Sequence, residues 1–85
     1  MQMEQQIGKI SHYYTKLGVA VLEIGKGSLK TGDQIHIKGS STDLTLQVDS
    51  MQIEHEQVEE AKAGQSIGLK VPEHVRQHDV VFKVK

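Results

Sequence analysis

Between Val19 and Ile37 two runs of alternating apolar residues are joined by a link that carries three glycines, and no other segment constrains the fold as tightly. Val19/Val21 and Ile35/Ile37 recur at every second position, the spacing of a strand with one buried face. Gly25, Gly27 and Gly32 offer backbone angles that a side chain forbids, so the chain turns between the runs.

The same pattern extends along the sequence and predicts six strands. The first is Glu4–Tyr14, where Gly8 marks a bulge or a close backbone approach. The second and third are Gly18–Ile24 and Gln34–Lys38, the latter followed by the polar turn cluster Gly39–Asp43. In the fourth, Leu44–Glu54, Leu44, Leu46 and Val48 share one parity while Met51 and Ile53 share the other. A bulge or bend near Asp49-Ser50 would return both sets to one core. The acidic stretch His55–Ala63 reads as a loop, with a helical turn through Val58 and Ala61 as the alternative. Gln65–Val71 is the fifth strand, and Val80, Phe82 and Val84 form the sixth. Pro72–His78 connects these two, with Val75 as its buried anchor. Val19, Val21, Ile35, Ile37, Ile67, Leu69 and Val71 are assigned to the core. Short strands separated by turn signals, with no long helix, indicate a small all-β domain.

Eighty-five residues suit one domain, here 1–85, with a small core built from Val, Ile and Leu, since there is no Trp and one Phe. The sequence has no cysteine, so disulfides and thiolate metal sites are excluded. The polar start Met1–Gln6 lacks the features of a signal peptide, and no apolar run reaches the roughly 20 residues that span a bilayer. A cytoplasmic protein without membrane contact is therefore expected. The net charge of −1 gives no bulk attraction to nucleic acid. Residues 1–42 hold five bases against three acids and residues 43–85 five against eight, either a two-faced surface or ordinary solvated charge.

Three pieces carry a family resemblance. Gly27-Ser28-Leu29-Lys30-Thr31-Gly32-Asp33-Gln34-Ile35 is similar to "G-x-L-K-x-G-D-x-I". Val48–Val71 contains the "A-G-x-x-[IV]-G" core at Ala63–Gly68. Val75–Val81 is similar to "I-x-R-G-D-V-[IVL]", with His78 where Gly is usual. In this order and spacing they resemble the second domain of the translational GTPases, the family of elongation factor Tu and initiation factor two. The resemblance covers about residues 5–85. It implies a closed six- or seven-stranded Greek-key β-barrel, with ribosomal RNA, tRNA or a translation protein as partner. No G-x-x-x-x-G-K-[ST] loop is present, so neither a nucleotide nor another cofactor is expected. The family's acceptor-pocket positions correspond to Gln52, His55 and Ser66. An amide, an imidazole and a hydroxyl stand there in place of a carboxylate, a guanidinium and an amide, so that pocket is not carried over.

The remaining chemistry is sparse. His74 and His78 are four apart, but Pro72 leaves little room for a helix and no third ligand is indicated, so no metal is expected. Glu54, Glu56, Glu59 and Glu60 read as a solvated acidic turn rather than paired catalytic carboxylates. Gly25-Lys26-Gly27-Ser28 is a turn or a phosphate cradle. Tyr13-Tyr14 is a rim aromatic pair or a base-stacking platform. No nucleophile–base pair is legible, so no catalytic residue is assigned and the chain is expected not to be an enzyme. The reading is a monomeric binding module, with Lys9, Tyr13, Lys16, Lys26 and Lys30 as candidate RNA contacts. The alternative is an accessory domain for a separately encoded enzyme, of the kind appended to peptidases.

Overall fold

The structure, a computed structural model, describes residues 4–84. The chain forms ten strands: β1 (Glu4–Tyr14), β2 (Val19–Ile24), β3 (Ser28–Lys30), β4 (Gln34–Lys38), β5 (Asp43–Gln47), β6 (Met51–Ile53), β7 (Glu56–Val58), β8 (Glu60–Lys62), β9 (Ser66–Lys70) and β10 (Val80–Val84). Eight of them make one antiparallel sheet in the order β5-β4-β10-β1-β2-β9-β6-β7, while β3 and β8 pair separately.

The chain is all-β, but the expected closed Greek-key barrel of six or seven strands is not what forms. Among the described residues the ladder runs from β5 to β7 and does not return, so both strands are edges. Two features hold it open. The link Val48–Ser50 carries the chain away from β5 before β6 begins, and the stretch expected to be a loop after His55 supplies β7 and β8 instead. β8 then pairs with β3 outside the main ladder, Leu29 opposite Ala61, with both side chains fully buried.

Curvature comes from β1, which pairs with β10 on one side and β2 on the other. Its register slips against β10 between Gln6 and Gly8, and against β2 between Ile10 and His12. Each bulge bends the strand and adds twist. Together they let Ile7, Ile10 and Tyr13, three residues apart, all turn to the core, where a regular strand would alternate. Gly8 also lies against the backbone of β2: a Cβ there would sit 2.0 Å from the Glu23 carbonyl oxygen.

The curled sheet encloses one apolar cluster in which Ile7, Ile10, Leu22, Ile35, Ile37, Val48, Met51, Ile67, Leu69 and Val81 are fully buried or nearly so. The bend at Asp49-Ser50 turns Val48 and Met51 inward from opposite parities. Val75 anchors the connection before β10 at 0 % exposure. The parity of β2 is the reverse of that expected. Ala20, Leu22 and Ile24 face the core, because Ala20 and Leu22 register with Leu69 and Ile67, which leaves Val19 and Val21 half-buried on the outer face. In β10 the core residue is Val81; Val80, Phe82 and Val84 lie half-buried on the other face. Lys83 shares the parity of Val81, and its amine emerges at the end of the core, 3.3 Å from Asp33 Oδ2 and 3.2 Å from the Ser28 carbonyl. Among the described residues no helix is long and apolar enough to cross a membrane.

Candidate functional site

β4 reads outward as Gln34, His36 and Lys38, because Ile35 and Ile37 occupy its inner face. The hairpin closed by reciprocal bonds between Gly39 and Thr42 returns Asp43 opposite Lys38 and Thr45 opposite His36. β10 lies on the other side of β4 and β1 beyond it, so Phe82 registers with His36 and Gln6 with Phe82. This order brings Glu4 over the same patch. His36 donates from Nδ1 to Glu4 Oε2 at 2.6 Å and from Nε2 to Asp43 Oδ1. Lys38 Nζ lies 3.4 Å from Glu4 Oε1 and 5.3 Å from the centre of the Phe82 ring.

An imidazole that donates from both nitrogens is an imidazolium. The hydrogen bond to Asp43, followed by that to Glu4, raises the His36 pKa above the ordinary 6.5. The bond from His36 likewise holds the Glu4 carboxyl below 4.5, against a smaller opposing effect of desolvation. With no free lone pair this ring cannot accept a proton; it is a charged clamp joining β1, β4 and the edge strand β5. The alternation of Ile35 and Ile37 turns His36 to the outer face but does not announce the clamp. The hairpin half has a local signal, the turn Gly39–Thr42 that returns Asp43 beside β4. The Glu4 half depends on β10 inserting between β1 and β4.

Two open grooves flank this scaffold. One, of about 420 Å³, runs past the β1 bulge and is lined by Gln6, Gly8, Lys9, Glu23, Gln65 and Ser66 among others. The other, of about 460 Å³, lies in the seam where the ladder fails to close, between Leu46, Gln47, Asp49 and Ser50 on one side and Lys70, Val71 and Pro72 on the other.

The residues singled out for RNA contact do not converge. Lys16 is in the β1–β2 turn, whereas Lys26 follows β2 at the opposite end of that ladder, six residues or roughly 20 Å of strand away. Lys9 is registered with Glu23 on the outer face. Lys30 sits on the separate two-stranded sheet, 4.0 Å from Glu60. Tyr13 packs against the core and stacks on His74, with ring centres 4.6 Å apart, so it offers no open platform. Of the three acceptor-pocket positions, Gln52 and Ser66 share the outer face of β6 and β9, Gln52 opposite Gly68. His55 is at the tip of the β6–β7 hairpin, where Glu54 and His55 both have positive φ, 52° and 67°. His74 and His78 are not paired as ligands: His74 lies on Tyr13, and the His78 N–H bonds the Ile10 carbonyl at 2.8 Å. Among the described residues no three His, Asp or Glu side chains converge as a metal would require.

No family model matches the sequence. A collagenase of Porphyromonas gingivalis is 40% identical over 78 residues, covering 91% of this chain and 22% of that protein. A Methanocaldococcus jannaschii protein named as an uncharacterized protease is 41% identical over 81 residues, covering 94% of this chain and 20% of that one. The chain thus spans about one fifth of the length of these relatives. In structure it is similar to the C-terminal domain of a Geobacillus thermoleovorans protein classed with the U32 peptidases. That match has a TM-score of 0.83 and 18% identity, and covers 91% of this chain and 89% of the other.

These findings correct the reading drawn from the translational GTPases. The stretch that resembled their second domain recurs, over nine-tenths of the chain, in proteins named as a collagenase and a protease. The open sheet agrees in fold with a peptidase C-terminal domain. The assignments to translation and RNA binding fall with that reading, as do ribosomal RNA, tRNA and translation proteins as partners. The expectation that the chain is not an enzyme is overturned by the same relatives, which are named as a collagenase and a protease.

Proposed function

We propose that this chain is a peptidase-associated domain, a β unit that works as part of a peptidase by supporting its action on polypeptide. The observation that supports this reading most directly is the 40–41% identity over almost the whole chain to segments of a collagenase and a protease. Identity at that level over 78 to 81 residues preserves a surface as well as a core, because the fully buried side chains are a minority of the chain. The open sheet, with its like-folded counterpart at a peptidase C-terminus, supports the same role.

The test is a chimaera. The matching segment of the Porphyromonas gingivalis collagenase is deleted, or replaced by this chain, and cleavage of gelatin is measured. Deletion is expected to lower cleavage and replacement to restore it. A deletion variant that remains folded and cleaves at the full rate would refute the reading.

A further inference from the structure

The two edges of the main sheet are defended unequally. β7 is three residues long and lies among Glu54, Glu56, Glu59 and Glu60. Short length and like charge are the devices by which edge strands avoid pairing with other chains. β5, Asp43-Leu44-Thr45-Leu46-Gln47, has neither lysine nor proline, and its one charge is engaged by His36. Its backbone phase follows from the hairpin. Gly39 and Thr42 exchange both bonds, and the Val48 N–H bonds the Asp33 carbonyl at 2.8 Å. Hydrogen-bonded and non-bonded pairs alternate along an antiparallel ladder. Leu44 and Leu46 therefore bond β4, and the N–H and C=O groups of Asp43, Thr45 and Gln47 point away from the sheet. Among the described residues these groups have no other backbone partner. At the C-terminal end of this row opens the seam groove, floored by Leu46, Val71 and Pro72 and flanked by Asp49 and Lys70.

We propose that the free edge of β5 binds an extended polypeptide segment by strand addition, with an apolar side chain of that segment lodged in the seam groove. An array of alternating backbone donors and acceptors is complemented by another extended backbone, and the groove adds side-chain preference to that main-chain pairing. A second copy of this chain fits less well. An antiparallel pair centred on Thr45 sets each Asp43 against Gln47 of the other copy, beside its Asp49, and like charges at such positions destabilise the pairing. A contact along five residues also falls far short of the roughly 1,200 Å² of a stable interface. Asp49 and Lys70 face each other across the groove, so its charges offset and its apolar lining, Leu46, Val71 and Pro72, selects an apolar side chain in a segment of low net charge. This inference goes beyond the peptidase-associated reading and is tested on the chain alone, so a failed chimaera and a failed titration are separate results.

The probe is an acetylated and amidated peptide of alternating threonine and valine with a lysine at each end. It is titrated into the labelled protein while amide shifts are followed. The Asp43, Thr45 and Gln47 amides are expected to move. Thr45→Pro removes an N–H that β4 does not use, and proline is tolerated at such edge positions; this variant is expected to bind at least roughly tenfold more weakly. A peptide N-methylated on every internal amide can donate from neither edge and is expected not to bind, and this comparison decides the matter even if Thr45→Pro fails to fold. The proposal is overturned by equal binding of the N-methylated peptide, by undiminished binding to a folded Thr45→Pro, or by no shift at millimolar peptide. It is overturned equally if the same amides move on raising protein concentration without peptide, which would identify a second copy as the occupant.

Discussion

Replacing Gly8 by alanine tests the close approach between β1 and β2. The added Cβ would lie 2.0 Å from the Glu23 carbonyl oxygen, 2.9 Å from its carbonyl carbon and 3.2 Å from Ile24 Cα. Ordinary contact begins near 3.4 Å, so the two strands must separate by more than an ångström. Every atom in the way is backbone, and Glu23 is held on both sides, opposite Lys9 in β1 and Ser66 in β9. Overpacking of this kind costs about 1–3 kcal/mol, and each ladder hydrogen bond lost adds about 0.5–1.5 kcal/mol. A total of about 3 kcal/mol is expected, which in a domain of this size lowers Tm by about 12–24 °C. Gly25→Ala is the control. Its Cβ meets nothing closer than the Ile7 carbonyl oxygen at 3.9 Å, and its φ is not positive. That variant should be unchanged or more stable by about 0.4–1 kcal/mol, through a less flexible unfolded chain. Thermal and urea unfolding followed by circular dichroism separates the two. If Gly8→Ala lies within about 0.5 kcal/mol of the parent, the account of β1 as a strand pressed against β2 is wrong.

The His36 clamp predicts a pH dependence with a definite sign. The His36 pKa is raised on folding, so its contribution is complete below the unfolded value of 6.5 and is lost as pH rises through the folded value. Glu4 is lowered, so its contribution is present above 4.5 and is lost as pH falls. The urea midpoint difference between the parent and His36→Gln should therefore be largest between 4.5 and 6.5 and shrink as pH rises through the folded His36 value; a constant difference would refute the clamp. At Leu69, 1% exposed, alanine should cost about 2–5 kcal/mol, against less than about 0.5 for Lys70→Ala; matching denaturation midpoints would reverse the facing of β9. His78 has φ 77°, so His78→Gly should stabilise by up to about 1 kcal/mol, and a loss of stability in the melting curve would contradict that conformation as strained.

The bounds of β1 and β4, the bend at Asp49-Ser50 and the anchor Val75 were legible because each is written in local parity or in a turn residue. β3, β7 and β8 were not, because three-residue strands are stabilised by their partners, and β3 finds its partner some thirty positions away in β8. The parity of β2 failed for a related reason. Val19 and Val21 are as apolar as Ala20 and Leu22, and only the register with β9 decides which pair is inside. The motif that pointed to translation factors has a structural origin here. Leu29 is buried, Gly32 has φ 94°, and Asp33 accepts the Lys30 N–H at 2.9 Å, so these residues specify a turn between two strands. His78 occupies a left-handed position for the same reason that glycine is usual there. Motifs of this kind report what the backbone needs, and carry little about what the surface touches.

The position of β10 bears on how the chain is made. It is the last strand in sequence, yet it lies between β4 and β1 near the middle of the ladder. During synthesis the hairpin β4–β5 and the group β1-β2-β9-β6-β7 can each pair internally, and β3–β8 links the two, but no ladder bridges β4 and β1 until Val80–Val84 has left the ribosome. Until then the facing edges of β1 and β4 stand open together. Nascent chains in this state are prone to aggregation. A pause in elongation before Val80 should lengthen that exposure, whereas a permuted gene that encodes β10 ahead of β1 should shorten it.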